Sequence, residues 1–228
     1  MSNEISFSFS GGGWIGVCYY LGVFKYLINN SILNQKVISL GTSCGSWAAT
    51  FLLYIKYKND ELKENINIDE LKKEIYTFFD SMKPIPFMCK NKLIVFFKKI
   101  IPYDEGFMKY ISDKLFVSVS VNKIFYLKNK MINPKTYDEL IDTLINSSMI
   151  PFFIGKNLRF LDGGITNNQP IHDEKTVKIN CLYKYAADVY PSKYVNPIYI
   201  LKIPPIEIRK NAEEMGYENI RNFFEADF

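Results

Sequence analysis

Ile5-Ser6-Phe7-Ser8-Phe9 alternates apolar and polar positions with the period of a strand and then meets Gly11-Gly12-Gly13. Beyond the glycines, Trp14, Val17, Leu21, Phe24 and Ile28 recur at helical spacing, which predicts an amphipathic helix ended by Asn29-Asn30-Ser31. The same grammar then repeats. Val37-Ile38-Ser39-Leu40 predicts a short strand, Gly41-Thr42-Ser43-Cys44-Gly45 a tight turn, and Trp47 to about Tyr57 a helix buried along Phe51, Leu52 and Ile55.

Ile68, Leu71, Ile75 and Phe78 or Phe79 mark a further helix that stops before Lys83-Pro84-Ile85-Pro86. A short apolar block, Leu93 to Phe97, sits between lysines, and Phe107 to Leu115 has helical character. Strict alternation over Phe116 to Val121, followed by Ile124-Phe125-Tyr126-Leu127, predicts a strand pair. Thr136 and Glu139 have the spacing of a capping box that opens a helix through about Ser147. Leu158 to Leu161 reads as a strand running into Asp162-Gly163-Gly164, Ile198 to Leu201 as another closed by Pro204-Pro205, and Asn211 to Phe228 as helix-prone. Strands alternating with helices make an α/β fold with helices on both faces of a sheet. No long repeat or Gly/Ser-rich linker divides the chain, so residues 1–228 are expected to form one domain.

Composition narrows the chemistry. The 28 basic and 24 acidic side chains leave +4, and only Arg159, Arg209 and Arg221 are arginines, so a nucleic-acid partner is not expected. Cys18, Cys44, Cys89 and Cys181 are scattered, form no CxxC pair and have a single histidine to accompany them, which argues against a zinc site and fits a reducing compartment. No segment approaches the ~20 apolar residues of a bilayer span, and Met1-Ser2-Asn3-Glu4 does not begin a signal peptide. A cytoplasmic protein with room for peripheral membrane association is expected.

Gly41-Thr42-Ser43-Cys44-Gly45 matches G-x-S-x-G between a strand and a helix, the context of a nucleophile elbow. The alternative is that the two glycines merely build a tight turn. Filling an α/β-hydrolase triad as Ser43, Asp162 and His172 fails: too few strands precede Ser43, and His172 follows Asp162 too closely for an intervening element. A serine activated directly by Asp162, on a glycine turn at a strand end, needs no histidine. It does need water excluded, because an ordinary aspartate is a weak base. Gly11, Gly12 and Gly13, before a helix N-terminus, are candidate oxyanion donors through their backbone N–H groups. Gly11, Gly13 and Gly16 also satisfy G-x-G-x-x-G. From Val17 to Asn59, however, there is no acidic residue for a ribose and no arginine for a 2′-phosphate, so a dinucleotide site is disfavoured.

Taken in order, four blocks resemble the patatin-like lipid acyl hydrolases, nearer the animal triglyceride-lipase branch than the plant storage proteins. They are Phe7 to Gly16, Gly41 to Ser46, Ser147-Ser148-Met149-Ile150-Pro151, and Asp162-Gly163-Gly164 with Asn167-Asn168. The resemblance implies a three-layer α/β/α patatin-like fold with a mainly parallel central sheet and a catalytic Ser43–Asp162 dyad. It also implies an oxyanion loop over Gly11, Gly12 and Gly13, and hydrolysis of acyl esters in phospholipids or acylglycerols with neither cofactor nor metal. Ser10 stands where many members have an acidic residue, and Ile15 where many have Arg or Lys; the latter is a marker of the animal lipase branch. A catalytically silent lipid-binding module and an acyl transferase are the alternatives within the same fold.

The dyad leaves His172 without a role, and it reads as structural, with a substrate contact as the alternative. Leu93 to Ile101 with its flanking lysines is either a core helix with solvated lysines, the preferred reading, or an element that docks on a membrane or lipid-droplet surface. Trp14 and Trp47 stand beside the site blocks, as acyl-pocket lining or as core.

Overall fold

In the computed structural model of the chain, which describes residues 4–64, 66–123, 126–156, 159–183 and 187–226, the two predicted strand–helix units are both present. They are β1 (Glu4–Phe9) with α1 (Gly13–Asn29), and β2 (Lys36–Thr42) with α2 (Cys44–Glu61). Next come α3 (Ile68–Asp80), α4 (Lys90–Ile100), α5 (Glu105–Ile111), β3 (Leu115–Lys123), β4 (Tyr126–Ile132), α6 (Tyr137–Ser147), β5 (Phe160–Leu161), β6 (Val177–Ile179) and α7 (Ile206–Ala226). The sheet runs β4-β3-β2-β1-β6, with β5 paired separately to β3. β1 pairs in parallel with β2 and with β6, as β2 does with β3, whereas β4 and β5 run antiparallel to β3. The fold is therefore α/β with a mixed, mostly parallel sheet.

Register decides what the alternating pattern means. Phe7 lies beside Ser39, Phe9 beside Gly41, and Gly41 beside Val117, so these side chains share one face. That face takes α1: the Phe9 ring meets Tyr20 at 5.2 Å and Phe24 at 6.0 Å, edge to face. The opposite face presents Ser6, Ser8, Thr42, Ser118 and Ser120, all of them buried. Their hydroxyls do not meet water. They meet the segment from Asp162 to Thr176, which is laid across the sheet: Ser6 Oγ donates to Thr176 Oγ1 (2.9 Å), Thr42 Oγ1 to the Asn167 carbonyl (2.8 Å) and Ser120 Oγ to the Asp162 carbonyl (2.7 Å).

α1 departs from the amphipathic helix its spacing predicts. It is buried almost all round, because the sheet covers one side and α7 the other. The two helices meet at backbone distance: a Cβ on Gly22 would lie 1.8 Å from the Glu213 carbonyl oxygen, and one on Gly216 would lie 2.0 Å from that of Tyr19. α7 accordingly begins before Asn211 and runs straight through Gly216, where helix propensity alone would weaken it.

Other expectations shift for local reasons. Ile198 to Leu201 is not a strand: Pro197–Ile200 is a 3-10 turn, with the Asn196 side chain accepting from the Ile198 N–H. α5 starts at Glu105 because Asp104 caps it, accepting from the Phe107 N–H, and Leu115 belongs to β3 instead. β4 continues past Leu127 to Ile132 as an edge strand rich in lysine, a composition that discourages further pairing. The Leu93 to Phe97 block forms the middle of α4. β6, three residues long, is too short to show a period. Thr136 caps α6 as predicted, but Glu139 closes the box one residue early, its Oε2 accepting from the Lys135 N–H at 2.8 Å. Ile124, Phe125, Leu158 and Phe228 lie outside the described residues. No helix among the described residues is long and apolar enough to cross a membrane.

Gly216→Ala forces α1 and α7 apart. Overpacking at such a contact costs roughly 1–3 kcal/mol, so thermal unfolding of this variant is expected several degrees below wild type, whereas Lys210→Ala, exposed on the same helix, stays within a degree or so.

Candidate active site

Ser43 joins β2 to α2 at φ 53° and ψ −126°, a region L-residues rarely occupy. Such a conformation costs on the order of 1–3 kcal/mol and persists only where the surroundings hold it. Here they do. The Ser43 N–H donates to Ser147 Oγ (2.8 Å), which donates in turn to the Ser118 carbonyl (2.7 Å). The Ser43 carbonyl accepts from both the N–H (2.9 Å) and the hydroxyl (2.6 Å) of Ser46. The flanking glycines are sterically required: a Cβ on Gly41 would sit 2.1 Å from the Gly45 carbonyl oxygen, and one on Gly45 would sit 2.2 Å from that of Phe9. This turn therefore presents the Ser43 side chain at the carboxyl end of the sheet, 7% exposed.

Asp162 follows β5, and the serine face of β3 holds its backbone. A Cβ on Gly163 would lie 2.1 Å from the Ser118 carbonyl oxygen, so only glycine permits this approach. Besides the Ser120 bond to its carbonyl, the Asp162 N–H donates to the Met149 carbonyl at 2.9 Å. The carboxylate accepts from the Gly164 N–H (2.8 Å), and the Ser43 hydroxyl lies beside it. Burial raises its pKa from 3.8 to about 6, against the downward pull of these two groups. A carboxylate so raised is a stronger base than an ordinary aspartate and is still mostly ionised near neutrality.

The glycine loop is latched to the same segment. The Gly11 N–H donates to Asn168 Oδ1 at 3.0 Å, and a Cβ on Gly11 would fall 3.1 Å from that of Ser43. Gly13, at φ 61°, opens α1 and lines the cavity beside Ser43. Of the three candidate oxyanion glycines, then, Gly11 has its N–H engaged in this state, and Gly13 faces the cavity. Gly16 makes room for packing, since a Cβ there would meet the sulfurs of Cys44 at 2.6 Å and Cys181 at 2.8 Å.

The cavity is apolar and small, about 30 Å³, with room for a water or two. Trp14 and Trp47 prove to be both lining and core: their rings meet edge to face at 5.9 Å, Trp14 Nε1 donating to the Leu201 carbonyl and Trp47 Nε1 to Ser148 Oγ. His172 is exposed, and its ring stacks on Phe116 at 6.0 Å. In α4, Phe96 stacks on Phe78 and Phe97 packs on Trp47, so these rings are core. Ser118, Ser120 and Ser147 support the site, yet the sequence pattern places the first two only as alternating strand positions and Ser147 only within a family block. Nothing in the pattern marks the buried group of Ser10, Tyr20, Cys44 and Cys181, in which Tyr20 OH donates to the Ser10 carbonyl at 2.6 Å and the Cys181 N–H to Ser10 Oγ at 3.3 Å.

A positive-φ serine on a strand-to-helix elbow, beside a desolvated carboxylate and a glycine loop, places the chain among α/β proteins with a nucleophile-elbow geometry. The comparisons specify the family. The profile for Patatin-like phospholipase matches residues 7–174, and the chain belongs to that family. It is 24% identical over 217 residues to human Patatin-like phospholipase domain-containing protein 2, covering 91% of this chain and 42% of that protein. It is 25% identical over 186 residues to human 1-acylglycerol-3-phosphate O-acyltransferase PNPLA3, covering 75% of this chain and 36% of that one. The chain thus spans less than half the length of these curated relatives. Among solved structures, VipD from Legionella pneumophila is similar in fold, with a TM-score of 0.55 at 13% identity, covering 99% of this chain and 67% of VipD.

Because the folded pKa of Asp162 lies above its ordinary value, the folded state binds the extra proton between about pH 4 and 6. The favourable contribution of this group is complete below pH 4 and is lost as pH rises through 6. Asp162→Asn removes the buried charge, so at pH 8 the variant is expected to be more stable than wild type by about 1–3 kcal/mol. Melting curves at pH 8 and pH 4 check this, the difference closing at the lower pH.

Proposed function

We propose that this protein hydrolyses acyl esters of phospholipids or acylglycerols through a Ser43–Asp162 dyad. The observation that carries the reading is the strained Ser43 with its hydroxyl beside a carboxylate whose pKa burial raises to about 6. Asp162 takes the hydroxyl proton as Ser43 Oγ attacks the ester carbonyl. The negative charge that develops on the carbonyl oxygen is met by backbone N–H groups of the Gly11, Gly12 and Gly13 loop, with Gly11 released from Asn168 as the substrate oxygen arrives. Collapse of the tetrahedral intermediate breaks the ester C–O bond, and the proton passes from Asp162 to the departing alcohol. Water, deprotonated by Asp162, then cleaves the acyl–Ser43 ester. Neither a metal nor a cofactor enters the scheme. The apolar walls of Trp14, Trp47 and Ile150 suit an acyl chain, which supports a lipid substrate.

Transfer of the acyl group to an alcohol uses the same intermediate, and the name of one relative, 1-acylglycerol-3-phosphate O-acyltransferase PNPLA3, favours it as a second reaction. Product analysis with and without an added lysophospholipid acceptor separates the two, because hydrolysis releases fatty acid regardless of the acceptor.

The dyad is tested by fluorophosphonate labelling alongside turnover of a fluorogenic phospholipid and a short-chain ester. Ser43→Ala is expected to abolish labelling, and both Ser43→Ala and Asp162→Asn to lower turnover by ~10³-fold or more while circular dichroism stays unchanged. Protonated Asp162 cannot take the Ser43 proton, so wild-type kcat/KM is expected to fall tenfold per unit of pH below about 6. A folded Asp162→Asn variant with full turnover would remove the aspartate from the mechanism.

A further inference from the structure

Three segments distant in sequence converge on the mouth of the Ser43 cavity. Met88, Cys89 and Lys90 donate their backbone N–H groups to the carbonyls of Phe152 (3.1 Å), Phe153 (3.2 Å) and Ile154 (2.9 Å), and the Ile203 N–H donates to the Pro84 carbonyl (2.8 Å). Pro86, Phe153 and Leu201 are the inward-facing members of this rim and line the cavity. Beside them, Ile85, Phe87, Met88, Phe152 and Ile198 are exposed, Phe87 at 62% with its ring stacked on Phe153 at 5.1 Å, and Phe152 at 68%. Apolar side chains of this size, gathered round the entrance to a site, mark an interaction surface.

Charge says what the surface meets. Residues 81–103 hold five lysines and no acidic residue, 147–156 hold Lys156 and no acidic residue, and 190–206 hold Lys193 and Lys202, again with none. Lys83, Lys92, Lys156 and Lys193 are exposed. An apolar tip ringed by cations of one sign matches the interface of a bilayer that contains anionic phospholipid. The cavity adds a second constraint: at about 30 Å³ it admits no acyl chain, so the rim has to part before a lipid can reach Ser43. We infer that the rim carrying Ile85, Phe87, Met88 and Phe152 inserts into an anionic phospholipid membrane, and that this insertion draws Pro86, Phe153 and Leu201 off the cavity. The docking element is thus the loop before α4, together with the 150–155 segment, rather than the apolar block of α4 itself, whose Phe96 is core. The inference rests on the lipid-ester reading for the identity of the cavity, but docking itself can be measured without turnover.

Flotation with vesicles decides it, using the whole chain with Ser43→Ala so that no lipid is cleaved. Binding is expected to vesicles of phosphatidylcholine with about one third phosphatidylserine, and to weaken on pure phosphatidylcholine and at high salt. The double substitution Phe87→Ser, Phe152→Ser is expected to lower vesicle partition roughly tenfold or more. Lys83→Glu with Lys156→Glu should erase the preference for anionic vesicles, and Val95→Ser on the outer side of α4 should bind as wild type. In the active chain, the double serine variant is expected to lose turnover of vesicle phospholipid while retaining fluorophosphonate labelling of Ser43. Absence of binding to anionic vesicles, unchanged binding by the double variant, an equal loss with Val95→Ser, or equal binding to a neutral triacylglycerol emulsion would each overturn the inference. Failure of wild type to label or hydrolyse, with the binding pattern intact, would sink the esterase reading and leave the docking surface standing.

Discussion

The carboxylate of Asp162 sits largely away from water, with its pKa raised to about 6, and a charge in such a place is kept only where hydrogen bonds meet its lone pairs. The Gly164 N–H supplies one and the Ser43 hydroxyl lies beside it, and both groups are placed by elements that have few other reasons for their form. Gly163 lets the loop press against β3, the hydroxyls of Ser118 and Ser120 hold that loop down, and Ser147 ties the Ser43 amide to the same strand. The polar face of the sheet is therefore a dry hydrogen-bonding bed for the segment that carries Asp162.

The same segment links the separate blocks of the site. Asn167 accepts through its carbonyl from Thr42 on β2 and from Ser118 on β3, and Asn168 accepts from Gly11 in the loop after β1. The elbow, the carboxylate and the glycine loop thus share one set of contacts, so a displacement of the 162–168 segment is felt by all three. The apolar face performs the complementary task. By taking α1 between the sheet and α7, it anchors the glycine loop to a helix with almost no solvent-facing side, and the close approach at Gly22 and Gly216 leaves that helix little freedom to shift. The site is thereby preorganised from both sides of the sheet, at the expense of two unfavourable features, a positive φ at Ser43 and a buried charge at Asp162.

Much of this was legible along the chain. Period-two and helical spacings located β1, α1, β2, α2, α3 and β3, because each is long enough for a repeat to register, and the Thr136 cap marked the start of α6. Gly41 and Gly45 marked the elbow, because a turn that brings Gly45 against the Phe9 carbonyl has no space for side chains whatever the rest of the fold does. Pattern failed where an element is short or defined by its neighbours. β6 has three residues, and the 3-10 turn at Pro197–Ile200 has the composition of a strand but is shaped by Pro197, the Asn196 cap and the Trp14 bond to Leu201. α1 looked amphipathic because its largest side chains recur along one face, whereas the small and aromatic residues between them are buried by α7, which begins more than 170 residues later.

What the sequence determined by itself is the set of local conformations and the candidate site groups: a serine between glycines at a strand-to-helix turn, an aspartate on a second glycine turn, and a glycine run before a helix. These depend on sterics and spacing within a few residues. Only the tertiary structure decided that Ser43 lies beside Asp162, that burial lifts the aspartate's pKa, that Asn168 occupies the Gly11 amide and that the cavity is small. Each of these is set by distances between residues far apart in the chain and by the exclusion of water, quantities that exist only once the sheet has assembled and its polar face has been covered.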